Sequence, residues 1–541
     1  VLLKVRQHKK LYEVKCDTRI TTKGWQIRFK YFPPLVEEIK ASLEGAKWNA
    51  EEISWDVPIT ERNEYVLSYL QNPKKPDFPT LRDHSFEDSL ATLPPEGLFN
   101  HQQDIYNFIL SRRRCLIAAD PGTGKTLPTL LAVERILGTV PGGSGQAVIV
   151  APRSAQNEWR RQIERFGFQH LIGRITFSTY ESLGKIISSK TVLGLNIRHS
   201  IDIPDILVYD ESVKVKSEKA ARSQSAFEFA QRVRQINGFI ILLSGAPAPK
   251  DPGDWWHQIE CLQPGYIREC SGKSLRYRLG EWDFTGEYPE LLSWKQSEIK
   301  RFSKYISPYV LVIRKKDVFD LPEKIYDPIR IPVDADTRRT AIALAYNYDL
   351  TGGRSITLLH KLRELSDGFL LGPPPERQLI AIPNSPKERV VADFLDFYEE
   401  HGRIVIFGGF IESINKIKAL CEKKDWLTET SRGGHTFPKN FLDQFDSDSN
   451  DRLAAVAYPG CVYGLNLSRT LALIYYSNTF NADDRLQSIE RRDRPGMDTS
   501  RGTRVIDLIH LESDEKVMNN IVNKIGIHNL TLEEIQKCLK E

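Results

Sequence analysis

Closely spaced cysteines are missing from this chain. Its seven, Cys16, Cys115, Cys261, Cys270, Cys421, Cys461 and Cys538, lie far apart with no C-x-x-C pair. That argues against a zinc site or a disulfide framework and fits a reducing compartment. Long apolar runs are missing too: none approaches the roughly 18 residues a membrane span needs. Val1-Leu2-Leu3-Lys4 has no signal-peptide layout. The expectation is an intracellular soluble protein with no membrane partner, cytoplasmic if bacterial or phage and nuclear if eukaryotic. Strong charge of one sign is also lacking. With 75 basic against 71 acidic residues the net charge is only +4, so any nucleic-acid surface must be a local patch. What is present is an ordinary globular composition over 541 residues, enough for three or four domain-sized units.

Four stretches separate by pattern. In residues 1–92, Trp25 to Phe32 alternates like a strand that Pro33-Pro34 stops. Leu35 to Leu43 has helical spacing, Ala46–Trp48 and Ile53–Val57 suggest a strand pair, and PKKPDFP (73–79) reads as an exposed linker. Residues 93–330 carry short buried strands at Cys115–Ala119, Ala147–Ala151, Ile206–Tyr209 and Phe239–Ser244, with helical patterns between several of them. That is the βαβ signature of a parallel sheet. Residues 331–385 look mainly helical and close on Gly372-Pro373-Pro374-Pro375. In 386–541 strands are expected at Ile404–Phe407, Ala454–Ala457, Leu471–Tyr476 and Thr503–Leu508. Two similar α/β lobes in tandem suggest a duplicated architecture.

Two motifs carry the chemistry. Ala118-Ala119-Asp120-Pro121-Gly122-Thr123-Gly124-Lys125-Thr126 has the form of a phosphate-binding loop, one glycine short at Ala119. In such a loop Pro121 shapes the turn, Gly122, Thr123 and Gly124 aim backbone N–H groups at phosphates, Lys125 reaches the β/γ-phosphates and the Thr126 hydroxyl can hold Mg²⁺. A buried strand before it and the apolar helical run Leu127–Leu137 after it put a helix N-terminus at the anion. Then Ile206–Tyr209 delivers Asp210-Glu211, where Asp210 can hold Mg²⁺ through water and Glu211 can orient or deprotonate the attacking water. ATP and Mg²⁺ are the expected cofactors.

Other elements are weaker alone. Gln102 can read an adenine edge, since its amide both donates and accepts, or it is a surface glutamine on an entry helix. Leu242 to Pro247 is a strand ending in a small-residue turn suited to sensing the γ-phosphate. Gln487 to Arg494 supplies Arg491 and Arg494 at a spacing of three, near the start of a helix or along one face. They are either guanidinium groups for the transferred phosphoryl or an exposed basic helix. Cys461 to Leu467 would form a loop, with Gly464 for phosphate and Asn466 toward a nucleic-acid backbone.

In this order the motifs resemble the Snf2 family of superfamily 2 nucleic-acid motors. The series runs Asn100-His101-Gln102, ADPGTGKT, Val150-Ala151-Pro152 with Trp159, Thr179-Tyr180, Asp210-Glu211-Ser212, Leu243 to Pro247, Gly464 to Leu467, and Gln487 to Gly496. Arg314 to Val318, followed by Leu321-Pro322-Glu323-Lys324, resembles the basic segment and LP-x-K that separate Snf2 proteins from generic helicases. The resemblance covers about residues 95 to 515. It implies two tandem RecA-like lobes joined by a helical segment, DNA-dependent ATP hydrolysis, and nucleic-acid contacts at Pro152, Arg153, Thr179, Tyr180 and Asn466. The chain departs from the family at Val213, where a histidine is usual, and at Gly408-Gly409, where a polar pair is usual.

The small α+β N-terminal domain resembles, over Tyr31–Lys40, Gly45–Trp48 and Trp55–Pro58, the HARP module of annealing helicases. Arg28 and Lys30, beside Trp25 and Tyr31, could meet phosphates there while the aromatics stack on bases; the same aromatics could equally be core. The expectation is therefore an ATP-driven double-stranded-DNA translocase that remodels forked or branched DNA by annealing, fork regression or branch migration. The alternatives are a motor that strips a protein partner from DNA and a strand-separating helicase. A single-stranded-DNA-binding or other repair protein is a conceivable partner.

Overall fold

The computed structural model describes residues 1–7, 10–22, 24–71, 97–140, 143–187, 190–192, 195–197, 203–286, 289–319, 324–350, 355–372, 377–447, 451–462, 467–470, 472–492 and 503–540. The chain forms two compact units, Val1–Arg314 with Ile527–Glu541, and Lys315–Gly526. The expected linker at 73–79 lies outside the described residues.

The first unit opens with a five-stranded antiparallel sheet. Its order is Leu2–Gln7, Lys10–Thr21, Gly24–Phe29, Ser54–Val57 and Lys47–Asn49. Helices Pro33–Ser42 and Glu61–Gln71 bury Leu35, Ile39, Val66 and Leu70 with Leu3, Ile27 and Trp55 of the sheet. The strand expected to run to Phe32 ends at Phe29, short of Pro33-Pro34, which begins the helix because the first helical turn needs no N–H donors. Gly24 is required where the strands come closest: a Cβ there would lie 2.3 Å from the Val57 carbonyl oxygen.

A six-stranded parallel sheet follows, ordered Val310–Ile313, Arg114–Ala119, Phe239–Ser244, Ile206–Asp210, Ala147–Val150 and Ile175–Ser178. The four central strands are those expected from the apolar runs. The two edge strands were not legible: Ile175–Ser178 mixes polar residues into four positions, and Val310–Ile313 follows a short 3₁₀ turn at Ser307–Tyr309.

The antiparallel module is fastened to this parallel domain. Arg62 forms a buried ion pair with Glu260 (2.7 Å), donates to the carbonyls of Ile267, Arg268 and Glu269, and stacks over Trp256. Beside it, Arg234 pairs with Glu61 and donates to the Cys261 carbonyl.

In the second unit another six-stranded parallel sheet is ordered Lys324–Arg330, Thr503–Ile509, Ala472–Tyr475, Arg403–Phe407, Leu453–Ala457 and Leu427–Ser431. The chain is thus α/β with two tandem parallel sheets flanked by helices, the arrangement of RecA-like lobes. Lys324–Arg330, grouped by sequence with the first lobe, is an edge strand of this second sheet; its exposed, alternating side chains hid it. Residues 331–385 hold helices Ala335–Leu350 and Ser355–Ser366 and a hairpin, Phe369–Leu371 with Leu379–Ala381. The fully buried Lys387 ties the end of this segment to the lobe through Asp367 and Asp514, both at 3.0 Å.

Burial holds three histidines neutral, the most strongly shifted being His528 in helix Glu512–Lys540, pushed down to about 3. His257, in helix Trp255–Leu262 of the first unit, and His510, after the last strand of the second, are each pushed down to about 4 from 6.5 by desolvation. Each must therefore bind a proton in the unfolded chain before it does in the folded one. Their contribution is present above pH 6.5 and is lost as pH falls toward 4, at up to about 1.4 kcal/mol per pH unit for each group. Urea midpoints measured from pH 7.5 to 4.5 should fall below 6.5, and His257→Gln should flatten that fall. A midpoint that is level through this window contradicts the assignment.

Candidate nucleotide-binding site

The site is built at the carboxyl ends of three adjacent strands, Arg114–Ala119, Phe239–Ser244 and Ile206–Asp210, where open parallel sheets place ligand sites. After the first strand the chain turns through Gly122 and Gly124, at φ +86° and +73°, and enters helix Thr126–Thr139. Positive φ at both positions is what lets the loop fold back on itself, and only glycine adopts it without strain. Lys125 Nζ donates to the Ala119 carbonyl at 3.2 Å, and Thr126 opens the helix half-buried. Thr123 is buried, with its hydroxyl donated to the Asp120 carbonyl.

Residues preceding the loop hold it from behind. The His101 Nε2 lies 2.8 Å from the Thr123 carbonyl, and the Gln102 amide donates to the Gly124 carbonyl at 3.1 Å. Gln102 Oε1 accepts from the Phe99 N–H, which caps the helix Asn100–Ser111. The amide read from sequence as adenine-facing is thus engaged on both ends by backbone. A Cβ at Gly124 would lie 2.5 Å from Gln102 Nε2, so a larger residue there would push the Gln102 amide aside, while the positive φ is what calls for glycine. On the other side Asp120 accepts an ion pair from Arg314 at 3.4 Å, while its N–H donates to the Ile313 carbonyl.

Asp210 is buried and accepts from Trp159 Nε1 at 2.8 Å and from the Glu211 N–H at 3.0 Å. Burial, then repulsion from Glu211, pushes its carboxyl up to about 6, with Lys125 pulling the other way. Glu211 sits in the left-handed region at φ +54°, uncommon for a residue with a Cβ, and its Oε2 is buried without a hydrogen-bond partner among the described residues. The Ser244 Oγ, at the end of the neighbouring strand, is in the same condition. A left-handed backbone together with a buried, unpartnered carboxylate oxygen marks Glu211 as a candidate ligand contact. Gly245 then packs on the loop itself, since a Cβ there would meet Pro121 Cγ at 2.9 Å.

Sequence reasoning missed Gln258. It is buried in helix Trp255–Leu262, accepts from the Ser212 hydroxyl at 2.8 Å and donates to the Pro247 carbonyl at 2.7 Å. It joins the acidic pair to the Ser244–Pro247 turn, and Val213, in the position usually held by histidine, is simply buried beside it. The available signal was slight, one amide between His257 and Glu260 in a helix of otherwise apolar residues.

Several residues expected to touch nucleic acid do other work. Tyr180 is buried, stacked on Tyr209, and donates to the Asp210 carbonyl at 2.7 Å; it supports the acidic pair and offers no surface. Thr179 is half-buried in a hydrogen-bonded turn with Ser182. Pro152 caps helix Arg153–Arg165, leaving Arg153 exposed. In the N-terminal module Arg28 is ion-paired with Glu52, while Lys30 is exposed. Gly464, Asn466 and Arg494, with Leu321 to Glu323, lie outside the described residues.

In the second unit the helix expected to carry the arginines ends first. Helix Ala482–Ile489 is capped by Glu490, and Arg491 and Arg492 occupy the turn after it. Arg492 is fully buried, donating to the Thr470 carbonyl at 2.8 Å, and the Arg491 carbonyl accepts from the Leu467 N–H at 3.1 Å. An exposed basic helix is therefore excluded for Arg491 and Arg492. Within the helix, Arg485 makes a bidentate pair with Asp507.

No family model matches the chain. It is similar to the ISWI chromatin-remodeling complex ATPase ISW1 of Saccharomyces cerevisiae, 22% identical over 79% of this chain and 39% of that protein. It is also similar to the SWI/SNF-related matrix-associated actin-dependent regulator of chromatin subfamily A-like protein 1 of Xenopus tropicalis, 22% identical over 75% of this chain and 42% of that one. The DNA annealing helicase and endonuclease ZRANB3 of Homo sapiens matches at 27% over 46% of this chain and 24% of its own length. The chain thus spans about two fifths or less of the length of these curated relatives. Among solved structures, a Sulfolobus solfataricus SWI2/SNF2 ATPase core in complex with dsDNA aligns over 81% of this chain and 97% of that one. The identity there is 18% and the TM-score 0.35.

Proposed function

We propose, on the ordered Snf2-type motifs and the similarity to these relatives, that this chain is an ATP-driven translocase on double-stranded DNA, acting on forked or branched substrates. The observation that carries the enzymatic part is the juxtaposition of the phosphate loop with Asp210 and the unsatisfied Glu211 at one end of one sheet. These residues fit a magnesium nucleotide: a glycine turn with Lys125 for phosphate, and Thr126 and Asp210 as oxygen donors for the ion. When bound, Mg²⁺ would neutralise charge on the phosphates and polarise them toward attack.

In this reading Lys125 binds phosphate, Glu211 takes the proton of the attacking water, and Ser244 senses the transferred group. Arg491 and Arg494 stabilise charge as it develops. Gly464 and Asn466 are assigned to phosphate and nucleic-acid backbone, and Arg153 and Lys30 remain candidates for DNA phosphates. The preference for branched DNA is supported by the HARP-like N-terminal motifs and by the relative whose name describes a DNA annealing helicase. A second reading, remodelling of a protein on DNA, is supported by the chromatin-remodeling ATPase, which aligns over more of the chain.

Phosphate release measured on single-stranded, flush duplex, forked and four-way DNA tests the proposal. Stimulation should require duplex, be greatest on forks or junctions, be indifferent to sequence and fall with salt. Absence of stimulation by any DNA would overturn the translocase reading. Stimulation by single strands alone would point to a strand-separating helicase.

A further inference from the structure

The segment that opens the second unit has no role in the scheme above, although it carries the basic and LP-x-K motifs. The structure shows where its lysines go. Lys315 Nζ lies 3.2 Å from Glu490 Oε2, and Lys324 Nζ lies 2.5 Å from Glu490 Oε1. Lys315 is itself buried, and the Glu490 side chain is 15% exposed. A carboxylate so removed from water would be raised by desolvation; the two ammonium groups instead hold it below the usual range.

Glu490 is the C-cap of helix Ala482–Ile489, so it fixes where the helix stops and the arginine turn starts. On the far side of the turn Arg492 is anchored to the Thr470 carbonyl. Arg491 therefore lies between two pinned neighbours. One pin is made by Lys315 and Lys324, which are remote in sequence and sit on two different elements, Lys315–Val318 and Lys324–Arg330.

We propose that Lys315 and Lys324 are positioning residues that, through Glu490, hold the Arg491 turn in the geometry needed for phosphoryl transfer. The proposal rests on the assignment of Arg491 to developing charge. Two lysines on one carboxylate suit this task better than one. A single ammonium on a flexible stem is a point charge with little directional control, whereas two from separate elements fix both carboxylate oxygens. Neither lysine is asked to touch the nucleotide.

The test is a double-mutant cycle on DNA-stimulated ATP hydrolysis with the full chain. Lys324→Met should lower kcat about tenfold to a hundredfold, as expected for a displaced catalytic group, while leaving KM for ATP within about twofold. Lys324→Arg, which keeps the charge, should recover most of the loss. In an Arg491→Ala background Lys324→Met should cost nothing further, because the group it positions is gone. The isosteric Glu490→Gln should reproduce the Lys324→Met pattern and guards against a folding defect in one variant. Additive losses in the two backgrounds, or parallel losses in kcat and KM, would overturn the proposal. If Arg491→Ala alone leaves single-turnover hydrolysis intact, it is the arginine assignment that fails.

Discussion

A Glu211→Gln protein should bind ATP as the wild type does and hydrolyse it about 10²–10⁴-fold more slowly, the range a positioned general base contributes. The amide keeps the volume and one acceptor of the carboxylate but cannot take a proton from water. The structural motive is specific: Glu211 is held at a left-handed backbone angle with a buried, unbonded oxygen, a condition that costs stability unless something occupies the site. Because nucleotide remains bound, this variant should also form a long-lived complex with DNA. Lys125→Ala should differ, losing affinity as well as turnover, since the lysine is a phosphate contact. Single-turnover hydrolysis and equilibrium nucleotide binding separate the two. Normal turnover in Glu211→Gln would remove the acidic pair from the chemistry, and unchanged affinity in Lys125→Ala would remove the loop.

Arg62→Met should be the most damaging single change outside that site, at about 3–5 kcal/mol, the usual cost of breaking a buried ion pair by removing one partner. The variant strands Glu260, whose carboxyl burial already pushes up to about 7 with Arg62 pulling it back. It also leaves three backbone carbonyls without their donor. Without Arg62 the folded-state pKa of Glu260 rises further above its unfolded value of 4.5. The variant should therefore lose stability as pH rises through that folded pKa, and its deficit should be larger at pH 8 than at pH 6. Urea unfolding at the two pH values reads this directly, and Arg62→Met with Glu260→Gln should be milder than Arg62→Met alone. A deficit independent of pH would mean that the pair does not carry the interface. The same geometry makes the N-terminal module a fixed part of the first unit. A truncation that begins after residue 71 is expected to lose ATPase on plain duplex as well as on forks. Equal turnover on plain duplex would instead establish the module as an independent sensor.

The ordered motifs were enough to point to a phosphate loop, an acidic pair and an arginine segment, and with them to a resemblance to the Snf2 family. Phosphate chemistry needs particular residue types at short spacing, and short spacing survives in one dimension. The central strands of both sheets were legible for a related reason: buried on both faces, they are unbroken apolar runs such as Phe239–Ser244 and Leu453–Ala457. Edge strands such as Lys324–Arg330 were not, because half their surface faces water and the pattern dissolves. What only the tertiary structure decided is which polar groups meet across long separations. Tyr180 reads as a surface contact until the Asp210 carbonyl is found against its hydroxyl, and nothing local to Gln102 shows that its amide also braces the loop through the Phe99 N–H and the Gly124 carbonyl. Gln258 and Arg62 have no local signature, and the motifs that contain Lys315 and Lys324 do not tell what those lysines meet. A buried polar side chain is defined by the partner that offsets its desolvation, and that partner lies 46, 198 and 175 or 166 residues away.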